Sequence, residues 1–226
     1  MLVPVLGPED ALPRVLDALP QDLVRNVILA KVGEANGTAS LAGQGKAVLL
    51  SLNEGGYGAA VLRGLEYLES LPERPAVVVI LAANGTNDPA DIPALLRPIL
   101  KSRYDLVIGS PMLGPGHGSA MDKVERCGNM LAVQLIRMLY GYSYTDLSTF
   151  VAIRFPALVA LGMTDTGAGF ATELRVKALK VGLRVAEVPV ASRHGVGAGP
   201  VGGSLRDRID VGYKSLYQIL RNATIR

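Results

Sequence analysis

Residues Ala76 to Pro89 read Ala-Val-Val-Val-Ile-Leu-Ala-Ala-Asn-Gly-Thr-Asn-Asp-Pro. A run of β-branched and aliphatic side chains stops abruptly at small polar residues, Gly and Pro. A strand buried on both faces of a parallel sheet needs such an unbroken apolar run, and it ends this way where it leaves the sheet for a loop. In open α/β sheets, ligands bind beyond the carboxyl ends of the strands. Ala82 to Asp88 is therefore the expected site. The next segment, Asp91 to Lys101, has helical spacing, with Ile92, Leu95, Leu96, Ile99 and Leu100 on one face.

The same alternation extends in both directions. Upstream, strands are predicted over Leu2–Leu6, Val27–Ala30 and Ala47–Leu50. Helices are predicted over Glu9–Leu19 and Gly56–Leu68, and Gly33–Ser40 reads as turns. Downstream, strands are predicted over Leu106–Gly109, Phe150–Arg154 and Arg184–Val190. Helices are predicted over Lys123–Tyr140, Pro156–Leu161, Phe170–Val181 and Leu205–Arg221. The long helix carries Val124, Cys127, Leu131, Leu135 and Met138 on one side, and Cys127 reads as a small core residue. Met112–Met121 and His194–Gly203 are Gly-rich loops. Such an order predicts one α/β domain over residues 1–226, with a mostly parallel central sheet flanked by helices.

Composition narrows the function classes. With 226 residues and 49% apolar content, the chain can bury a sizeable core. A net charge of +3, few aromatics and no Trp argue against a nucleic-acid partner. One cysteine excludes an intrachain disulfide and a zinc cluster. His117 and His194 have no partner at metal-ligand spacing. No basic leader opens the chain, and the longest apolar run falls far short of the ~20 residues that span a bilayer. A cytoplasmic protein is expected.

Read in order, several segments together resemble family 2 glycosyltransferases of the GT-A (nucleotide-diphospho-sugar transferase) fold. The nearest likeness is to the branch that acts on dolichyl or polyprenyl phosphate. Val3-Pro4-Val5-Leu6 matches the opening strand, and Gly56-Tyr57-Gly58-Ala59-Ala60 the glycine-rich helix start. Asn84-Gly85 to Asp88-Pro89 matches the metal loop, and Asp105 to Ser110 the next strand. Arg126-Cys127-Gly128-Asn129 matches the long helix start. Asp146 with Phe150 to Arg154, Glu173, and Glu187-Val188-Pro189-Val190 complete the series. The resemblance implies a nucleotide-sugar donor and a divalent Mg²⁺ or Mn²⁺ ion. It places nucleotide-side positions at Pro4, Lys31, Gly56, Gly58 and Asn84, and catalytic positions at Asp88, Arg126, Asp146 and Glu173.

The departures fall on chemistry. The family's Asp-x-Asp is degenerate here: its carboxylates are replaced by Ala82 and Asn84. The acidic residue after the first strand is displaced to Glu9, behind Gly7 and Pro8. A base- or ribose-binding Asp is replaced by Lys31, whose ammonium cannot accept a hydrogen bond. An Arg is replaced by Pro111, and the loop Gly197–Gly203 holds no cation. A departing nucleoside diphosphate needs positive charge, and Mg²⁺ or Mn²⁺ needs hard anionic oxygens. No metal ligand set is therefore assigned.

Each candidate has a structural alternative. Asp88 reads as a site carboxylate or a helix cap, Arg126 as a phosphate ligand or a surface ion pair. Asp146 reads as a site carboxylate or the acceptor of turn amides, and Glu173 as a cleft residue or a helix-start cap. Gly56 and Gly58 would bring amides to a phosphate or serve tight packing. The reading drawn from the joint loss of acidic and basic groups is a pseudoenzyme, a binding or regulatory relative without metal-dependent transfer, with homo- or hetero-oligomers as partners. The alternatives are an active transferase with a rebuilt metal-free site using Arg126 and Lys31, and a scaffold recruited to another ligand or chemistry. The cations of the last helix, Arg206, Arg208, Lys214, Arg221 and Arg226, read as a solvated face or as a peripheral contact with anionic membrane.

Overall fold

The apolar runs do become strands, and the strands share one sheet. In the computed structural model, β1 spans Leu2–Val5, β2 Ile28–Val32, β3 Val48–Leu52, β4 Val77–Ile80, β5 Leu106–Ser110, β6 Val151–Arg154 and β7 Val185–Pro189. The structure describes residues 1–34, 36–43, 47–114, 123–192 and 205–224, the side chains of 36, 123–126, 205–210 and 224 excepted. The strand order is β3-β2-β1-β4-β6-β5-β7. β6 runs antiparallel to both of its neighbours, and every other pairing is parallel. The sheet is mostly parallel, as the alternation of elements predicts.

Eight helices are described: α1 (Leu12–Asp17), α2 (Asn36–Leu41), α3 (Tyr57–Ser70), α4 (Ile92–Leu100), α5 (Lys123–Tyr140), α6 (Phe155–Ala160), α7 (Phe170–Lys180) and α8 (Leu205–Thr224). Alternate strand residues point to opposite faces. Leu2, Ile28, Ile80, Ile108 and Ile153 meet α3, α5, α6, α7 and α8 on one face. Val3, Leu29, Val79, Val107 and Ala152 meet α1 and α4 on the other. Burial on both faces explains why β4 and β5 read as unbroken apolar runs.

Three expectations are corrected. Asn36–Leu41 is a helix rather than turns. α1 is shorter than its apolar period and begins at Leu12, because Pro13 suits the first turn of a helix and not its interior. The face of α5 is turned: Leu135 packs against the core, as expected, but Cys127, Leu131 and Met138 do not. Leu131 is 54% and Met138 81% exposed, and Cys127 is exposed, while Ala132 and Ile136 are buried. With Val133, Leu135 and Ile136 beside Leu131 and Met138, the helix is apolar on more than one side, so periodicity alone does not select the inward face. The loop containing His194 and Gly197–Gly203, and His117, lie outside the described residues.

Candidate functional site

The sheet brings several strand exits to one edge. β4 and β6 are antiparallel, with Ile80 opposite Val151. The residues that follow β4 and those that precede β6 therefore emerge together. β5 also pairs antiparallel with β6, Ile108 facing Val151, so Ser110 leaves at the same edge. Ser110 Oγ lies 2.6 Å from Thr145 Oγ1, which joins the β5 exit to the segment before β6.

At the β4 exit, Ala82 and Ala83 are buried and bring no side-chain oxygen. Leu81 and Ala83 donate their amides to the carbonyls of Leu2 and Pro4, which fixes Pro4 as a backbone acceptor. Asn84 folds back on its own turn. Its Oδ1 accepts from the Thr86 amide at 3.2 Å and the Thr86 hydroxyl at 2.8 Å. Its Nδ2 is buried without a hydrogen-bond partner. Asp88 caps the 3-10 turn Pro89–Asp91, its Oδ1 accepting from the Ala90 amide at 3.0 Å. This is the cap geometry that the sequence offered as the alternative to a site role.

A divalent cation does not fit the side chains at this exit. It needs several hard, preferably anionic, oxygens. The one side-chain oxygen Asn84 presents is neutral and engaged with Thr86. Among the described residues, no cluster of three or more His, Cys, Asp or Glu is placed to hold an ion.

The β2 corner is closed by an internal pair. Lys31 is 5% exposed. Its Nζ lies 3.1 Å from Glu9 Oε1 and donates to the Gly7 carbonyl at 2.9 Å. Burial pushes the Glu9 carboxyl upward, but Thr38 and Lys31 outweigh it and hold the group below its ordinary range. Lys31 is thus tied to the displaced acidic residue and is not a loose cation aimed at a phosphate.

The glycine corner is packed in the same way. The amides of Gly56, Gly58 and Ala59 donate to the carbonyls of Thr166, Gly167 and Thr166, at 3.2, 3.0 and 2.9 Å. A Cβ on Gly58 would fall on the Asp165 carbonyl oxygen. The start of α3 therefore meets backbone carbonyls, and close approach of two chain segments accounts for both glycines. Glu173 supports that loop from below. It accepts from the Thr164 amide and hydroxyl and from the Asp165 amide at 2.8 to 3.1 Å, and pairs with Lys177 Nζ at 2.7 Å. Burial alone would raise its pKa; Lys177 and these donors hold it below the usual value. Glu173 is a loop anchor, a structural role but not the helix-start cap that the sequence offered, since the start of α7 has no side-chain cap bond.

The corner between β5, β6 and β7 differs. Asp146 is 1% exposed. Leu147 and Ser148 amides approach its carboxylate, yet Oδ2 has no hydrogen-bond partner. Burial raises its pKa to about 6, against the opposing charge of Arg175. Arg175 is fully buried in α7. Its Nη1 donates to Ala171 O at 2.8 Å and its Nη2 to Ser148 O at 2.5 Å, while Nε has no partner. Its guanidinium carbon lies 5.7 Å from the centre of the Tyr144 ring. Glu187 of β7 accepts from the Thr145 amide and hydroxyl at 2.9 to 3.1 Å. Asn129 of α5 accepts from the Leu147 amide at 3.0 Å, tying the start of the long helix to this segment. Arg126 belongs to α5, but its side chain lies outside the described residues.

Sequence reasoning passed over Arg175 and used Glu187 only as part of a matching strand. A signal for Arg175 was present. At helical spacing it falls beside Ala171, Ala178 and Leu179 rather than on the side that carries Glu173, Lys177 and Lys180, which puts it on the apolar side of its helix.

No family model matches the chain. An uncharacterised glycosyltransferase of Mycobacterium tuberculosis is 30% identical over 211 residues, covering 92% of this chain and 92% of the relative. This chain belongs to the family 2 glycosyltransferases. An undecaprenyl-phosphate mannosyltransferase of Micrococcus luteus is 25% identical to this family member over 203 residues, covering 84% of it and 81% of the mannosyltransferase. The fold of the family 2 chain is GT-A. Glucosyl-3-phosphoglycerate synthase of Mycobacterium tuberculosis, solved with Mg²⁺ and UDP, matches with a TM-score of 0.79 at 19% identity, covering 100% of this chain and 79% of the synthase. No helix among the described residues is long and apolar enough to cross a membrane.

Proposed function

We propose that this family 2 glycosyltransferase binds a nucleotide-sugar, or a related phosphate-bearing small molecule, at the edge where β4, β5 and β6 exit. Its role there is binding or regulation without metal-dependent sugar transfer. The observation that carries this reading is the β4 exit: buried Ala82 and Ala83, and an Asn84 whose only oxygen is bound to Thr86. Among the described residues, the buried atoms without partners at this edge include an amide donor, Asn84 Nδ2, and a carboxylate acceptor, Asp146 Oδ2, and Arg175 Nε at the Asp146 corner also lacks one. An amide donor with a carboxylate acceptor suits ligand hydroxyls better than a cation. Lys31 gives no substitute for the ion, because Glu9 and Gly7 already hold it.

Calorimetry with a panel of UDP- and GDP-sugars, with Mn²⁺ and with EDTA, tests this. The expected result is affinity that does not change with metal, and no sugar release. Micromolar binding that requires Mn²⁺ overturns it. The double substitution Ala82→Asp with Asn84→Asp should create Mn²⁺-dependent binding where the unaltered chain has none.

A second reading, an active metal-free transferase, draws on Asp146. With a pKa near 6 it is ionised at neutral pH, and its free Oδ2 is suited to take a proton from an acceptor hydroxyl. Transfer from a labelled donor without metal, lost in Asp146→Asn and in Arg126→Ala, would establish this reading in place of the first.

A further inference from the structure

The segment that leads into β6 is held from four elements. Glu187 of β7 takes the Thr145 amide and hydroxyl, and Asn129 of α5 takes the Leu147 amide. Arg175 of α7 donates to the Ser148 carbonyl, and Tyr57 of α3 donates to the Thr149 carbonyl at 3.4 Å. At Asp146 the direction reverses. The segment's own Leu147 and Ser148 amides approach the carboxylate, and Oδ2 stays without a partner. Arg175 and Asp146 therefore grip the same residue: Ser148 gives its carbonyl to the guanidinium and turns its amide to the carboxylate.

Arg175 is an expensive residue for its place. It is fully buried, and its hydrogen bonds go to two carbonyls, Ala171 and Ser148, and to no carboxylate. Carbonyls need a donor and not a charge, and an apolar side chain would fill a core position at lower cost. The charge acts instead on Asp146. Among the described residues, the charged groups that face this carboxyl are Arg175 from α7 and Glu187 from β7; the phenols of Tyr57 and Tyr144 face the guanidinium. Arg175 favours the carboxylate, while burial and Glu187 oppose it. We infer that Arg175 is a positioning residue for the ligand site: from behind the segment it fixes Ser148 and holds Asp146 as an anion whose free oxygen accepts from a ligand hydroxyl. This rests on the reading that a ligand binds at the edge where β4, β5 and β6 exit.

Two measurements on the full chain test the inference. The first follows the Asp146 carboxyl carbon by NMR through a pH titration without ligand, its signal assigned by its absence in Asp146→Asn. Arg175→Gln keeps a donor and removes the charge, and should raise the midpoint by about two pH units. Arg175→Lys keeps the charge and should restore most of that rise. Asn129→Ala loosens the Leu147 amide without removing a charge, and should not raise the midpoint. Should Arg175→Gln fail to melt cooperatively, Arg175→Met carries the same expectation with an apolar side chain. The second measurement is calorimetry with the UDP- and GDP-sugars across pH. Affinity in Arg175→Gln should fall about tenfold at pH 7 and return once the pH passes the new midpoint, which a merely structural loss would not do. An unmoved midpoint in the neutral variants, or an equal rise in Arg175→Lys, overturns the role of Arg175 even where nucleotide-sugars bind. No nucleotide-sugar binding by the unaltered chain overturns the ligand reading instead, whatever the titration shows.

Discussion

Two aspartates stand at opposite ends of the ladder between β5 and β6, and their surroundings are opposite. Asp105, just before β5, is fully engaged. Arg184 donates to both of its oxygens at 2.8 and 2.9 Å, and Arg154 lies 3.4 Å away. The bonds from Arg184 hold its carboxyl down at about 2. Asp146, just before β6, is buried, has an oxygen without a partner, and is pushed up to about 6. A folded chain seldom leaves such capacity unused, and groups left this way gather where ligands bind. The end of the sheet with Asp105 is finished as structure. The end with Asp146 has unused bonding capacity, and only part of it: the Lys31–Glu9 pair has closed the β2 corner.

The largest effect should come from breaking that closed corner. Lys31→Ala removes the partner of a mostly buried carboxylate and should cost about 3 kcal/mol in urea unfolding. Replacing Lys31 and Glu9 together by Met should recover most of it. An equal loss in the single and double variants would show that the pair is not what closes the corner.

Asp146→Asn should act in the opposite direction. A carboxyl raised from 3.8 to about 6 binds more protons folded than unfolded, so it lowers stability progressively as pH rises from about 4 to 6, and the penalty persists above. Two units correspond to about 3 kcal/mol, and the new amide brings its own unpaired donor. A net gain of about 2 kcal/mol above pH 7 is expected, with loss of the stability slope between pH 4 and 6. Weaker nucleotide-sugar binding should accompany the gain. A loss of stability at pH 7 would mean that Asp146 is a structural acceptor alone.

Asp105→Asn should have the smallest effect. A lowered pKa contributes stability that is present above about pH 4 and lost as pH falls through about 2. Arg184 is half exposed, so screening reduces the contribution to about 1 kcal/mol. The cost should be measurable at pH 7 and vanish in unfolding experiments near pH 2.

Strand runs and helix periods made the architecture legible before any coordinates. β4, β5 and α4 kept nearly their predicted bounds because burial on both faces, or on one sharp face, leaves a strong pattern. α2 was missed because Asn36–Leu41 is short, polar and contains Gly, which is how turns also read. The site was legible as a place and not as chemistry. Asp146 and Glu173 are both acidic residues beside apolar neighbours. Only the count of their hydrogen bonds separates an anchor from a group with an oxygen to spare. Lys31 and Glu9 lie far enough apart in sequence that spacing gives no sign of their contact.

Asp165 joins regions that are distant in the chain. Its Oδ2 receives Gln218 of α8 at 2.6 Å, its Oδ1 receives the Gly167 amide at 2.7 Å, and its own loop carbonyls rest on the start of α3. The C-terminal helix is therefore a brace for the glycine corner. A force that tilts α8 would be felt first as a change in how tightly α3 is gripped.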